Sequence, residues 1–278
     1  MSSLVVNTNL SALDAYNNLN TTNQALSTAI SRLSSGLQIQ TAADNPSGYV
    51  IAQGLLSQTN GYGQAVSNAQ NGVSVLQTAE GALNQITSVL QTMDQLALAN
   101  SNSGASDTTA MQANQDQFSA LQTQIDQIAK STQFGTQQLL NGTYSNQTFQ
   151  IGAFTGGVNE ITVSIPTVTA GALGVSNSQA SIGTYAAATA AVSAVQTAIS
   201  TVNSYEAQVG ATQNELQSVI QNLTVGQQNM KSAYSSIVDV NMAKEMTAFT
   251  TDQILMQSGV AMLSQAQQAP SLVLKLLG

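Results

Sequence analysis

VVNTNLSALDAYNNLNTTNQALSTAISRLSSGL, residues 5–37, decides the fold. Steps of four and three residues from Val5 land on Asn9, Ala12, Tyr16, Leu19, Asn23, Leu26, Ile30, Leu33 and Leu37. Eight of these ten positions are apolar, the pattern by which two helices zip together. Ser, Thr, Asn and Gln fill the other faces. The seam runs out at Ser34-Ser35-Gly36. Asn45 followed by Pro46 then supplies an N-cap and a first-turn residue, so a new helix is predicted to start there. Asp44 is read with them as part of a cap rather than as a site.

The same spacing recurs downstream. Ala69, Gly72, Leu76, Ala79, Leu83, Ile86, Leu90, Met93 and Ala97 stripe the second helix, which is predicted to end at the turn signal Asn100-Ser-Asn-Ser-Gly104. Asp107 is predicted to cap a third helix whose stripe is Phe118, Leu121, Ile125 and Ile128. The period then changes to two in Thr148-Phe-Gln-Ile-Gly152 and Glu160-Ile-Thr-Val-Ser-Ile165, flanking Thr155-Gly156-Gly157, which predicts a β-hairpin over about 148–165. Pro166 to Ser181 reads as a short loop. From Tyr185 a further seam runs from Ala191 through Val202, Leu216 and Leu223 to Ile237; at the α-helical rise such a helix approaches about 80 Å and belongs to a rod.

The tail carries Met242, Met246, Phe249, Gln253, Met256, Val260, Leu263, Gln267, Pro270, Leu274 and Leu277 at seam spacing. Leu255, Met262, Ala266, Ala269, Val273 and Leu276 form a second line on a neighbouring face. One partner helix cannot cover so much apolar circumference. The simplest plan pairs the first and last helices with each other, leaving the surplus to be covered in an assembly. The fold class expected is mainly α: a rod of long antiparallel helices with one small β-hairpin region.

Composition removes other functions. The 278 residues include five Lys/Arg and thirteen Asp/Glu, a net charge of −8, and neither His nor Cys. Arg32, Lys130, Lys231, Lys244 and Lys275 are too few and too scattered to neutralise a phosphate backbone, so no nucleic acid is expected as a partner. Without His or Cys, no metal, cofactor or thiol chemistry is expected, and the chain does not read as an enzyme. Glu80 and Asp94 lie about four helical turns apart, too far for a catalytic carboxylate pair. Lys275 reads as a solvated charge at a helix end. No apolar run reaches the about 18 residues a membrane span needs, and the N-terminus lacks a secretory signal.

With these patterns in place, the sequence resembles bacterial flagellin. The resemblance is carried by the stretch from Leu33 to Gly48 (LSSGLQIQTAADNPSG), Ile51-Ala52, Asn71 to Leu83 (NGVSVLQTAEGAL), Ile125-Asp126, Thr132-Gln-Phe134, Ile254 to Gly259 (ILMQSG) and Ser264 to Pro270 (SQAQQAP). It covers about residues 1–176 and 185–278. It implies a subunit of the flagellar filament, the propeller of motility, located outside the cell. Residues 1–43 with 240–278 would form the helical coiled coil of the inner tube, and 44–239 the rod outside it. The variable outer domains, which the family inserts after a segment like Ala172-Leu-Gly174, would be absent. The resemblance also implies export through the flagellum's own secretion channel without a cleaved signal peptide. Implied partners are further copies of the chain, an export chaperone, and the cap and hook-junction proteins.

Polymer-core seams are expected at Val5, Ala12, Tyr16, Leu19, Leu26, Ile30 and Leu33 of the first helix. In the last helix they are expected at Met246, Phe249, Met256, Val260, Leu263, Leu274 and Leu277. The amides at seam positions (Asn9, Asn23, Gln253, Gln267) either set the register or face a water-filled channel. Methionines 242, 246, 256 and 262 suit adaptable contacts or plain core filling. Leu90 to Ala97 (LQTMDQLA) is similar to the stretch of flagellin that a vertebrate innate receptor recognises. Receptor-active relatives carry arginine at Thr92, leucine at Leu96 and a glutamate at about Gln117; only Leu96 matches, so weak recognition is expected. The alternatives are a hook–filament junction protein and a secreted adhesin or signalling rod; the unbroken middle pattern and the apolar tail, respectively, argue against them. The low charge density predicts a filament that tolerates acid, unless it reflects only a drift toward Ser, Thr, Asn and Gln.

Overall fold

A computed structural model describes the chain from Thr8 to Leu277, residues 103, 105 and 106 apart, with side chains described through Gln268. The helices are α1 (Leu10–Ser35), α2 (Pro46–Asn100), α3 (Thr108–Ser131), α4 (Tyr185–Val238) and α5 (Met242–Leu277). Four short strands lie between α3 and α4: β1 (Gln133–Phe134), β2 (Gln137–Gln138), β3 (Gln147–Gln150) and β4 (Glu160–Val163).

The helix ends follow from local chemistry. Gly36 closes α1 in the left-handed region at φ 74° and donates its N–H to Arg32 O at 2.8 Å, a conformation that costs glycine least. Pro46 opens α2 with the Asn45 side-chain Oδ1 accepting from Gly48 N at 2.9 Å. Asp44 is not the cap. Its Oδ2 instead accepts from Gln40 N, Thr41 N and Thr41 Oγ1 at 3.1, 2.8 and 3.0 Å, closing the turn before the helix. Asp107 stands at the start of α3 but its side chain makes no capping bond; its carboxylate takes the Thr108 hydroxyl, at 3.4 Å. On exposed faces Ser and Thr hydroxyls donate to the carbonyl four residues back, as from Thr78 to Ser74 O (2.9 Å) and Thr224 to Ile220 O (2.7 Å).

The chain divides into two compact units. The first holds residues up to Ser57 and from Asn229 onward; the second holds Gln58–Gln228. In the second, every position of the α2 stripe from Ala69 to Ala97 is buried. Leu76, Leu83, Ile86, Leu90 and Met93 pack in one core with Phe118 and Ile125 of α3 and Val195, Val202 and Leu216 of α4. Polar ties cross between α2 and α4: Thr87 Oγ1 donates to Glu206 Oε1 (3.2 Å), and Gln213 Nε2 donates to Glu80 Oε2 (2.8 Å). Glu80 is thus a structural acceptor.

Strands β3 and β4 pair antiparallel from Gln147↔Val163 to Gln150↔Glu160, joined through a 3₁₀ turn at Gly157–Asn159. Ile165, expected inside the hairpin, lies beyond it and donates its N–H to Tyr144 O (2.9 Å). The hairpin sits on α2, where Asn68 Nδ2 donates to Gln150 O (3.0 Å). Strands β1 and β2, two residues each, were too short to leave an alternating pattern. The stretch from Pro166 to Ser181 has no regular element, yet Val168, Ala170, Val175 and Ala180 are buried.

In the first unit, α1 and α5 pack against one another. The segment leaving α1 and the one leading into α5 are stitched by Gln38 N to Val238 O (2.6 Å) and Val240 N to Gly36 O (2.9 Å). Ile39 is buried against Gly48, where an added Cβ would stand 2.7 Å from Ile39 Cδ1.

Candidate assembly surface

Three contacts fix the pairing of the terminal helices. Asn9 Nδ2 donates to Ala266 O at 2.7 Å, Leu19 lies over Gly259 (an added Cβ there would be 3.2 Å from Leu19 Cδ1), and Arg32 Nη1 stands 3.8 Å from Glu245 Oε1. Low numbers in α1 meet high numbers in α5, so the pair is antiparallel. Asn9 also caps α1, its Oδ1 accepting from Ala12 N at 3.0 Å. One amide therefore begins a helix and fixes its register against the partner. Asn23, Gln253 and Gln267 are exposed.

The inner line of α1 is Ala12, Ala15, Leu19, Thr22, Leu26, Ala29 and Leu33; that of α5 is Glu245, Phe249, Asp252, Met256, Gly259, Leu263 and Ala266. Every second expected position is thereby displaced by one residue. Ala12, Leu19, Leu26 and Leu33 face the partner helix, as do Phe249, Met256 and Leu263. Tyr16 and Ile30 of α1 and Met246 and Val260 of α5 do not; they are 57%, 50%, 46% and 52% exposed. At four of the competing positions stand Ala15, Thr22, Ala29 and Gly259, which let the helix axes approach, whereas the larger side chains one place on would hold them apart; at Glu245 the inner place goes instead to the carboxylate that faces Arg32. Val5 lies outside the described residues, as do the side chains of Leu274, Leu277 and Lys275.

The displaced side chains do not stand alone. Leu10 and Leu13 on α1, and Met242, Ile254, Leu255 and Met262 on α5, are also half or more exposed. The two helices thus bury one line of side chains between them and leave a second set of large apolar ones facing water. A soluble monomer seldom leaves such a patch open. The loop before α2 adds an electrostatic element: the Thr41 backbone N–H, then its hydroxyl and the Gln40 N–H, hold the Asp44 carboxyl below its ordinary 3.8. The bonded carboxylate supports the loop above the ordinary value, and that support is lost as pH falls through the lowered one. Substituting Asp44→Asn is expected to remove this acid-side dependence from thermal melts taken across the range; an unchanged pH profile would contradict it.

The family pattern described as the bacterial flagellin N-terminal helical region matches residues 6–145, and the C-terminal helical region of the same family matches 192–277. The flagellin of Halalkalibacterium halodurans is 37% identical over 99% of this chain and 100% of its own length. The chain belongs to the bacterial flagellins. It is a structural subunit of the flagellar filament, and no enzyme. The flagellin of Bacillus subtilis is 38% identical over 98% of this chain and 99% of its own. The crystal structure of Bacillus cereus flagellin shares the fold, with a TM-score of 0.50 at 24% identity over 60% of this chain and 94% of that one.

In this flagellin the receptor-equivalent positions fall on two helices. Thr92 and Leu96 are half-buried on successive turns of α2, with the Thr92 hydroxyl donating to Ser88 O (3.1 Å) and Leu96 packed on the core. Gln117 is exposed on α3 beside the fully buried Phe118. Sequence reasoning missed the buried polar residues. Asn100, read as turn chemistry, is 1% exposed and donates to Met111 O (3.1 Å) and Ile182 O (2.8 Å) while accepting from Asn114 (2.6 Å). Gln122 donates to Val175 O (2.7 Å) and Ala180 O (3.0 Å), and Asp126 Oδ1 accepts from Ala170 N (2.8 Å). The usable signal was Gln115, Gln122 and Asp126 at helical spacing beside an apolar stripe.

Proposed function

We propose that the outward line of the α1–α5 pair is the surface copies of this flagellin bury against one another, so that residues 1–43 and 240–278 form the inner tube and 44–239 the rod outside it. The observation that carries this is the exposure of Tyr16, Ile30, Met246 and Val260 beside a pair whose inner line is already closed. Burying one large apolar side chain contributes about 1.5–3 kcal/mol, so several per subunit suffice to drive assembly. Changing Ile30 and Val260 together to Ser is expected to leave the monomer's melting within about 0.5 kcal/mol of the parent. The same change is expected to abolish growth on filament seeds viewed by negative-stain electron microscopy. Normal growth would move the interface elsewhere.

Export through the flagellar channel, a chaperone for the apolar tail, and contacts with cap and hook-junction proteins complete this reading. They rest on family membership together with the exposed α5 face. Weak recognition by the innate receptor belongs to it as well. Thr92 and Gln117 lack the charges that would make charge-assisted hydrogen bonds at those positions. Monomeric protein is expected to activate reporter cells poorly, with potency rising in the double variant Thr92→Arg, Gln117→Glu. Full potency in the unaltered chain would overturn it.

A further inference from the structure

The chain holds three Asn-Gly pairs: Asn60-Gly61, Asn71-Gly72 and Asn141-Gly142. The first two lie inside α2. There ψ is held near about −42° and the glycine N–H is given to a carbonyl four residues back, so neither pair can close a five-membered ring through the glycine nitrogen. The third lies outside any element, between buried Leu140 and buried Tyr144. Among the described residues no acceptor takes the Gly142 N–H.

The surroundings of Asn141 are those of an activated amide. Its Oδ1 accepts from Thr143 N at 3.1 Å and from Thr143 Oγ1 at 2.6 Å, the nearer of two acceptors for that one hydroxyl proton (Gln138 O stands at 3.2 Å), and its Nδ2 donates to Gln138 Oε1. Two donors on one carbonyl oxygen take up charge that develops when a nucleophile adds to the carbon. Gly142 cannot be exchanged for a slower residue: its φ is 91°, and a Cβ there would lie 2.3 Å from Thr167 Oγ1. The fold keeps a labile dipeptide because the backbone needs its glycine.

We propose that Asn141 is a site of spontaneous deamidation in this flagellin. The Gly142 nitrogen, losing its proton, bonds to Asn141 Cγ; the Cγ–Nδ2 bond breaks and the amide nitrogen leaves as ammonia. Water then opens the cyclic imide at either carbonyl, giving aspartate or isoaspartate. The new carboxylate faces Gln138 Oε1 without a proton to offer it. The isoaspartyl form also adds a methylene to the backbone between Leu140, whose carbonyl accepts from Val168 N (3.0 Å), and Tyr144, whose carbonyl accepts from Ile165 N (2.9 Å). Aged subunits therefore carry one more negative charge and a loosened loop.

The test is to age the full-length monomer in mildly alkaline buffer and map its peptides by mass spectrometry with fragmentation that separates aspartate from isoaspartate. Conversion at Asn141 is expected at least about tenfold faster than at Asn60 or Asn71, with both products present. Thr143, being exposed, can be changed to Val without disturbing the core, and this variant is expected to slow conversion about threefold. Equal rates at the three sites, aspartate without isoaspartate, or an unchanged rate in the Thr143→Val variant would each overturn the proposal.

Discussion

A chain ending at Val240 is expected to add no length to filament seeds, at any concentration where the intact chain elongates them. The truncation removes the whole of α5, the helix against which α1, with its buried Leu26 and Ala29, packs. Asn9 then loses the Ala266 carbonyl and Arg32 loses Glu245. What remains of α1 is 26 residues with an apolar stripe and no partner, a length at which helicity in water depends on packing rather than propensity. The unit spanning Gln58–Gln228 keeps its own core, so the truncated chain is expected to retain a cooperative thermal transition while losing the helical circular dichroism of its ends. Elongation by the truncated chain would show that the second unit alone makes the decisive contacts.

The largest single-residue loss of stability is expected at Asn100. Changing it to Ala strips two donors from the carbonyls of Met111 and Ile182 and the acceptor from Asn114, in a place too buried for water to substitute. Leaving a buried polar group unpaired costs about 1–3 kcal/mol, so a total on the order of 3 kcal/mol is expected in urea unfolding of the monomer. Asn100→Asp should be no milder. It keeps an oxygen for Asn114 but turns a carboxylate toward two carbonyls, a buried charge without a partner. A loss below about 1 kcal/mol would mean that the segment from Met111 to Ile182 is held by its apolar contacts alone.

How much of this was legible depended on how many faces a helix had to choose between. The α2 stripe from Ala69 to Ala97 is buried throughout because that helix has one apolar face, and periodicity identifies it. In α1 two neighbouring lines are both acceptable by hydropathy, and in α5 the inner line takes in Glu245 and Asp252, which hydropathy alone would have left outside. The choice fell to side-chain size: Ala15, Ala29 and Gly259 go in, and Tyr16, Ile30 and Val260 stay out. Periodicity counts apolar residues but does not measure how closely two backbones come. The segment from Pro166 to Ser181 reads as a loop and has no regular element, but its burial was hidden for another reason. Its order comes from side chains far away in the sequence, at Gln115, Gln122 and Asp126. A local pattern holds no trace of a partner so distant.

The clasp between Asn9 and Ala266 has a meaning in time as well as in space. Its two residues are 257 positions apart, and closing a loop of that length costs about 5 kcal/mol of chain entropy before any contact repays it. The cost falls once the middle of the chain has ordered, because Gln227 then donates to Thr59 O (3.2 Å) and shortens the loop that remains. Folding from the middle outward, with the ends joining last, is therefore the order expected to cost least chain entropy. The amide that begins the first helix waits for the final helix to arrive, and until then the surfaces that would bind another copy do not exist as surfaces.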